Sequence, residues 1–173
     1  MQTGKARTDK LLRESSNAAG VLQAQLGFGP NEIVTLASIV EKEAAVDDER
    51  PVIASVFLNR LREPAVTAGK LQADPTAMYG CFAQVPPTRA CAAWLAAGAG
   101  KPSAEIQHDP DNRWSTYTHA GLPPTPIANP GERSIAAVLA PASTRYFYFV
   151  AKGGGRHAFS ERLDEHDRNV KAH

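Results

Sequence analysis

Two glutamates flank a lysine in "SIVEKEAA", residues 38–45, within an otherwise apolar stretch. A single carboxyl group can deliver a proton to a glycosidic oxygen, and it does so best when its surroundings raise its pKa toward the working pH. A helical wheel at about 100° per residue, with Leu36 at zero, puts Ile33 at about 60°, Val40 at about 40° and Ala44 at about 80°. That is the core-facing stripe. Glu43 falls at about 340°, at the edge of the stripe and between Leu36 and Ile39, whereas Glu41 lies at about 140° and Lys42 at about 240°. Glu43 is therefore the inward-leaning carboxylate. Two readings of it stay open: a proton donor kept neutral by lost solvation, or an ordinary structural carboxylate that pairs with a buried arginine or caps a loop.

The elements that must position it follow from local pattern. Residues 5–26 read as one helix, with Leu11, Leu12, Ala18, Val21, Leu22 and Leu26 apolar and Gly27, Gly29 and Pro30 stopping it. Asn31 is a suitable N-cap for a second helix running to about Ala45. A third follows in "DDERPVIASVFLNRLRE", whose acidic start and arginine-rich end suit the helix dipole. "GKLQADPTAMYG" reads as a loop, with Asp74-Pro75 opening a short helical turn. Residues 81–113 show the least pattern and are read as an insertion with one helix near Trp94. Four prolines between 123 and 130 exclude regular structure there. "GERSIAAVLAP" is a short helix. "RYFYFVA", "KGGGR" and "HAFS" make strand, glycine turn and return strand, and "ERLDEHDRNVKAH" closes as a helix. The expected class is α+β: a helical N-terminal part carrying Glu43, then a C-terminal β-hairpin and closing helix.

Composition narrows the function classes. The 173 residues suit one domain, and 19 basic against 18 acidic side chains leave no global field for nucleic acid or anionic lipid. No apolar run reaches the roughly 18 residues of a membrane span, and the polar opening lacks a signal-peptide core. His157 and His166 are nine positions apart with no HExxH pattern, so structural roles are expected and no metal site. "KGGGR" lacks the context of a phosphate loop, and no GxSxG elbow supports a serine hydrolase. Cys81 and Cys91 read either as two free thiols or as a disulfide closing "CFAQVPPTRAC".

Six blocks in order, "LASIVEKEA", "ASVFLNRLR", "LQADPTAMYG", "GLPPTPIANPG", "YFYFVAKGGGRHAF" and "EHDRNV", extend from about residue 31 to 170. Together they resemble the catalytic domain of endolytic murein transglycosylases of the MltG (YceG-like) type. The resemblance implies a domain at 31–173, with 1–30 a helical approach and 81–113 a variable insertion. It implies that Glu43, the second glutamate of the EKE run, is the catalytic residue. It also implies cleavage of peptidoglycan strands between N-acetylmuramic acid and N-acetylglucosamine, leaving 1,6-anhydromuramyl ends without cofactor or metal.

Further implications concern setting and support. Family members are held at the extracytoplasmic (periplasmic) face of the bacterial inner membrane by an N-terminal helix that this sequence lacks, so a soluble fragment is expected. Peptidoglycan synthases are candidate partners. An oxidising compartment favours the Cys81–Cys91 disulfide. Gln72, Asp74, Tyr79, Ser115, Tyr117 and Glu41 are the expected substrate-binding groups. Gln72 and Asp74 would bond sugar hydroxyls or N-acetyl groups, although Asp before Pro is also ordinary turn chemistry. Tyr79 and Tyr117 would stack on sugar rings, although aromatics at such spacing also fill cores. Ser115 stands where the family tends to have Asn in Tyr-Asn-Thr-Tyr, here Trp114-Ser115-Thr116-Tyr117. Ser38 is about 140° round the helix from Glu43 and is not expected to assist it. Residues 123–130 would form a stiff cleft wall. The alternatives are a lysozyme-like hydrolase using water as nucleophile and a non-catalytic glycan-binding domain.

Overall fold

Why the acidic helix ends where it does decides the architecture. In the computed structural model, which describes residues 4–173, α1 (Gly4–Glu14) and α2 (Ser16–Leu26) replace the single expected helix. The interruption is slight and falls at Ser15, whose backbone N–H still bonds the Leu11 carbonyl at 2.9 Å while its carbonyl accepts the Ala19 N–H at 3.0 Å. Gly27, at φ 70°, ends α2 in the left-handed conformation. The next helix, α3 (Pro30–Glu43), starts one residue before the expected cap. Pro30, with φ preset and no donor to lose, takes the first helical position, and the Glu32 carboxylate accepts the Gly29 N–H at 2.9 Å. The helix ends on Glu43 itself.

A 3-10 turn (Asp47–Glu49) leads into α4 (Arg50–Arg62), followed by the single turn α5 (Pro64–Thr67). The "short helical turn" expected after Asp74 is in fact a full helix, α6 (Asp74–Ala83). Its first turn tolerates Pro75 because no intrahelical donor is needed there. Gly80 is required within it, since a Cβ there would fall 1.9 Å from Asn112 Oδ1. α7 (Arg89–Ala96), capped by the Thr88 hydroxyl, and α8 (Ala104–Gln107) give the insertion more order than expected. Cys81 on α6 and Cys91 on α7 form a disulfide, around which Trp94 and Ile106 make a small second core.

The main core lies where α3, α4 and α9 (Glu132–Leu139) meet. Leu36, Ile39, Val40, Ile53, Phe57, Leu58 and Val138 have no exposed surface there. Each such side chain contributes about 1.5–3 kcal/mol on burial. α1 packs on α9 and α2 on α4, so this N-terminal pair of helices shares the core through Leu22 and the following Phe28.

The hairpin pairs β1 (Tyr148–Gly153) antiparallel with β2 (Arg156–Ser160), Phe149 facing Phe159 and Val150 facing Ala158. α10 (Leu163–Ala172) packs on both strands. The class is α+β, with helices forming the body and one hairpin at the end. Glu49, buried at the start of α4, fixes the hairpin by accepting from the His157 backbone at 3.2 Å and bonding its ring Nδ1 at 2.8 Å.

Candidate active site

The stripe residues Ile33, Leu36, Ile39 and Val40 are all enclosed and Ala44 is 8 % exposed, but Thr35, Ala37 and Ser38 are buried too, so the middle of α3 is enclosed on every side. Glu43 sits partly buried at the C-terminal end of α3. Among the described residues its carboxyl has no hydrogen-bond partner. Burial first, and the nearby Asp74 charge second, push its pKa up to about 7, with Arg60 pulling the other way. The negative end of the helix dipole acts in the same sense as Asp74.

Asp74 opens α6 and is held in place. Its Oδ1 accepts from the Tyr117 hydroxyl at 2.6 Å and from the Gln107 side-chain amide at 2.7 Å. Burial, then the bond to Asp74, pushes the Tyr117 phenol well above the usual range, so it stays a neutral donor. Tyr117 also packs edge-to-face with His108, ring centres 5.5 Å apart, so one of its aromatic contacts is internal.

Arg60 is the group that sequence reasoning passed over. It is 6 % exposed and donates to the Phe147 and Leu71 carbonyls, each at 2.6 Å, and to Gln72 Oε1 at 3.3 Å. Its guanidinium lies 5.5 Å from the centre of the Tyr148 ring, which in turn stacks on His166 at 5.4 Å. Desolvation lowers its pKa to about 10, so it remains a cation at neutral pH. Among the described residues its Nη2 has no hydrogen-bond partner. The signal was present: Arg60 lies seven positions after Ile53 and three after Phe57, on the core face of α4, where an arginine needs a partner.

The other expected site residues divide. Gln72 is exposed with φ 51°, its backbone N–H bonded to the Thr116 carbonyl. Tyr79 is half-buried and packs edge-to-face on Trp114 at 6.1 Å. Glu41 does not serve as a free sugar-binding group. Its Oε2 accepts from Ser134 Oγ at 2.6 Å, Gly131 N–H at 3.1 Å and Arg50 at 3.2 Å, joining α3 to α4 and α9. The Ser134 bond leads the causes that hold its pKa below the ordinary value. Ser115 is fully buried and its hydroxyl donates to the Gln107 carbonyl, so it supports the loop behind Asp74 and does not line the cleft.

Ser38 accepts the Ile127 N–H at 2.9 Å and fixes the proline-rich wall. His157 bonds Glu49, as a structural role requires. His166 has a buried, unpartnered Nδ1 and a pKa lowered by burial. Among the described residues no three His, Cys, Asp or Glu side chains form a group able to hold a metal ion, and no helix is long and apolar enough to cross a membrane.

One carboxyl without a hydrogen-bond partner among the described residues, its pKa raised to about 7, thus feels the charges of a fixed carboxylate, Asp74, and a buried cation, Arg60. The chain belongs to the YceG-like family, whose model matches residues 1–172. An endolytic murein transglycosylase of Bacillus subtilis (strain 168) is 37% identical over 141 residues, covering 80% of this chain and 33% of the relative. Another of that name, from Streptococcus pneumoniae (serotype 2, strain D39), is 31% identical over 147 residues, covering 83% of this chain and 24% of the relative. A crystal structure of a YceG-like protein from Listeria monocytogenes aligns with a TM-score of 0.67 at 31% sequence identity, covering 92% of this chain and 44% of that one. The chain thus spans a third or less of the length of the curated relatives it matches.

Proposed function

We propose that this chain is the catalytic domain of an endolytic lytic transglycosylase that cuts peptidoglycan glycan strands between N-acetylmuramic acid and N-acetylglucosamine. The observation that carries the reading is the Glu43 carboxyl: without a hydrogen-bond partner among the described residues, desolvated, its pKa raised to about 7, and under the opposing charges of Asp74 and Arg60. Its relatives' names supply the substrate class.

In the first step protonated Glu43 gives its proton to the glycosidic oxygen. The C1–O bond breaks and C1 gains oxocarbenium character. The Asp74 carboxylate, fixed by Tyr117 and Gln107, lies close enough to influence the Glu43 charge and stabilises that positive centre. Arg60 limits the cost of the Glu43 carboxylate left behind. In the second step this carboxylate takes the proton of the C6 hydroxyl on the same muramyl sugar. O6 bonds to C1, the anhydro ring closes, and Glu43 is again neutral. No water is consumed, and one group serves as acid and then base because its pKa is close to the working pH. A murein substrate also sets an extracytoplasmic site of action, where the Cys81–Cys91 disulfide persists.

A water-activating hydrolase would need a second free carboxylate. Asp74, oriented by two donors on its Oδ1, is the candidate for that role. Digestion of purified glycan strands followed by product mass tests the reading. Anhydro ends are expected; reducing ends, or uncut strands, would overturn it.

A further inference from the structure

Beside the Glu43 centre lies a second feature that the chemistry above does not use. Pro75, Met78, Tyr79 and Phe82 recur at the i, i+3, i+4, i+7 spacing of one face of α6. With Lys42 and Ile127 they line a cleft of about 420 Å³, within the roughly 300–1,000 Å³ of small-ligand sites. Lys42 and Pro75 are the chain neighbours of Glu43 and Asp74, so two of the residues lining this cleft adjoin the reacting groups along the chain. Phe82, at the end of this face, is 62 % exposed.

These rings are held in place. Phe82 packs edge-to-face on Trp94 at 5.8 Å, and Tyr79 packs likewise on Trp114. The disulfide joins Cys81, next to Phe82 on α6, to Cys91, three residues before Trp94 on α7. The insertion therefore fixes an exposed aromatic side chain at the far end of the cleft. From Asp74 to Phe82 the helix rises roughly 12 Å, the reach of a couple of pyranose rings.

We infer that this face of α6 is a distal saccharide subsite. It takes N-acetylated β-1,4-linked sugars that extend from the bond being cut, with Tyr79 and Phe82 meeting the apolar C–H faces of the rings and Lys42 donating to hydroxyl or acetyl oxygens. The inference rests on the glycan-strand reading above and assigns the insertion a part in holding long strands.

The test is calorimetric binding of a chito-hexasaccharide to the whole chain carrying Glu43→Gln, so that nothing is cut. Adding Phe82→Ala should weaken binding roughly tenfold, the scale of one lost aromatic contact. Phe82→Trp should restore it to within about threefold, and Val21→Ala, at an exposed apolar position on α2, should leave it unchanged. Thermal melts establish that each variant is folded. Hexasaccharide binding by Phe82→Ala equal to that of its Glu43→Gln parent would overturn the inference. Strand cleavage by the unsubstituted chain is followed in parallel. Cleavage together with that equality removes the subsite alone; neither cleavage nor binding removes both readings.

Discussion

Glu41 and Glu43, two positions apart on α3, meet opposite environments: the first accepts three hydrogen bonds on one oxygen, and the second, among the described residues, accepts none. The helix turns about 200° between them, which separates a carboxylate that ties elements together from one that is left free for chemistry. Glu43→Gln should abolish strand cleavage while keeping the fold, because the amide has the same shape but cannot exchange the proton. Glu41→Gln should keep most of the activity and lose about 1–3 kcal/mol of stability, the range for disrupted bonds to a charged group. Product assays and urea melts of both variants check the pair. An inactive Glu41→Gln beside an active Glu43→Gln would reverse the assignment.

Glu43 also sets a pH dependence. Its pKa in the fold is about 7 against an ordinary 4.5, so the native state binds this proton more tightly than the unfolded chain does. The resulting stability is complete below the ordinary value and is lost as pH rises through about 7, on the order of 3 kcal/mol in all. Glu43→Gln escapes that loss. It should be more stable than the parent at pH ~8 and nearly equal to it at pH ~4. Denaturant midpoints at the two pH values decide; a variant less stable at the higher pH contradicts the burial account.

Arg60→Met should move the basic limb of the activity profile upward, because the cation that lowers the Glu43 pKa is gone. It should also destabilise the fold, since the Phe147 and Leu71 carbonyls lose their donor. Arg60→Lys keeps the charge and should leave the limb near its original position. A profile that does not move in the Met variant would make Arg60 purely structural.

Much of this site was legible because helical periodicity is a long-range signal within one element. The wheel leans Glu43 toward the core, and its stripe is buried, although Thr35, Ala37 and Ser38 off the stripe are buried as well. What it could not see were partners brought from elsewhere in the chain. Asp74 meets Gln107 across 33 positions and Tyr117 across 43, and no local pattern encodes those meetings. Ser115 was read as a cleft residue from its place in a motif, yet burial depends on what packs over it. The extent of α6 was missed because Asp74-Pro75 reads as a turn, although Pro in a first helical turn is equally an opening. The hairpin fared better, since aromatic strands around three glycines leave few alternatives.

The disulfide gives a stability prediction of its own. Closing the short loop between Cys81 and Cys91 restricts the unfolded chain by roughly 3 kcal/mol. Replacing both cysteines with serine should lower the Tm by roughly 10 °C. Intact mass without reduction should show the parent two hydrogens lighter than its reduced form. Two free thiols after oxidative folding would contradict the linkage.

If Glu43 works alone, the muramyl C6 hydroxyl, not water, attacks C1. Running the digestion in oxygen-18 water tests it most directly, because substrate and scissile bond are the same in both mechanisms and only the fate of the cationic centre differs. Muramyl ends should carry no label and weigh one water less than a reducing end, from the first turnovers onward. Labelled reducing ends dominating at the earliest time points would contradict it and make the enzyme a hydrolase.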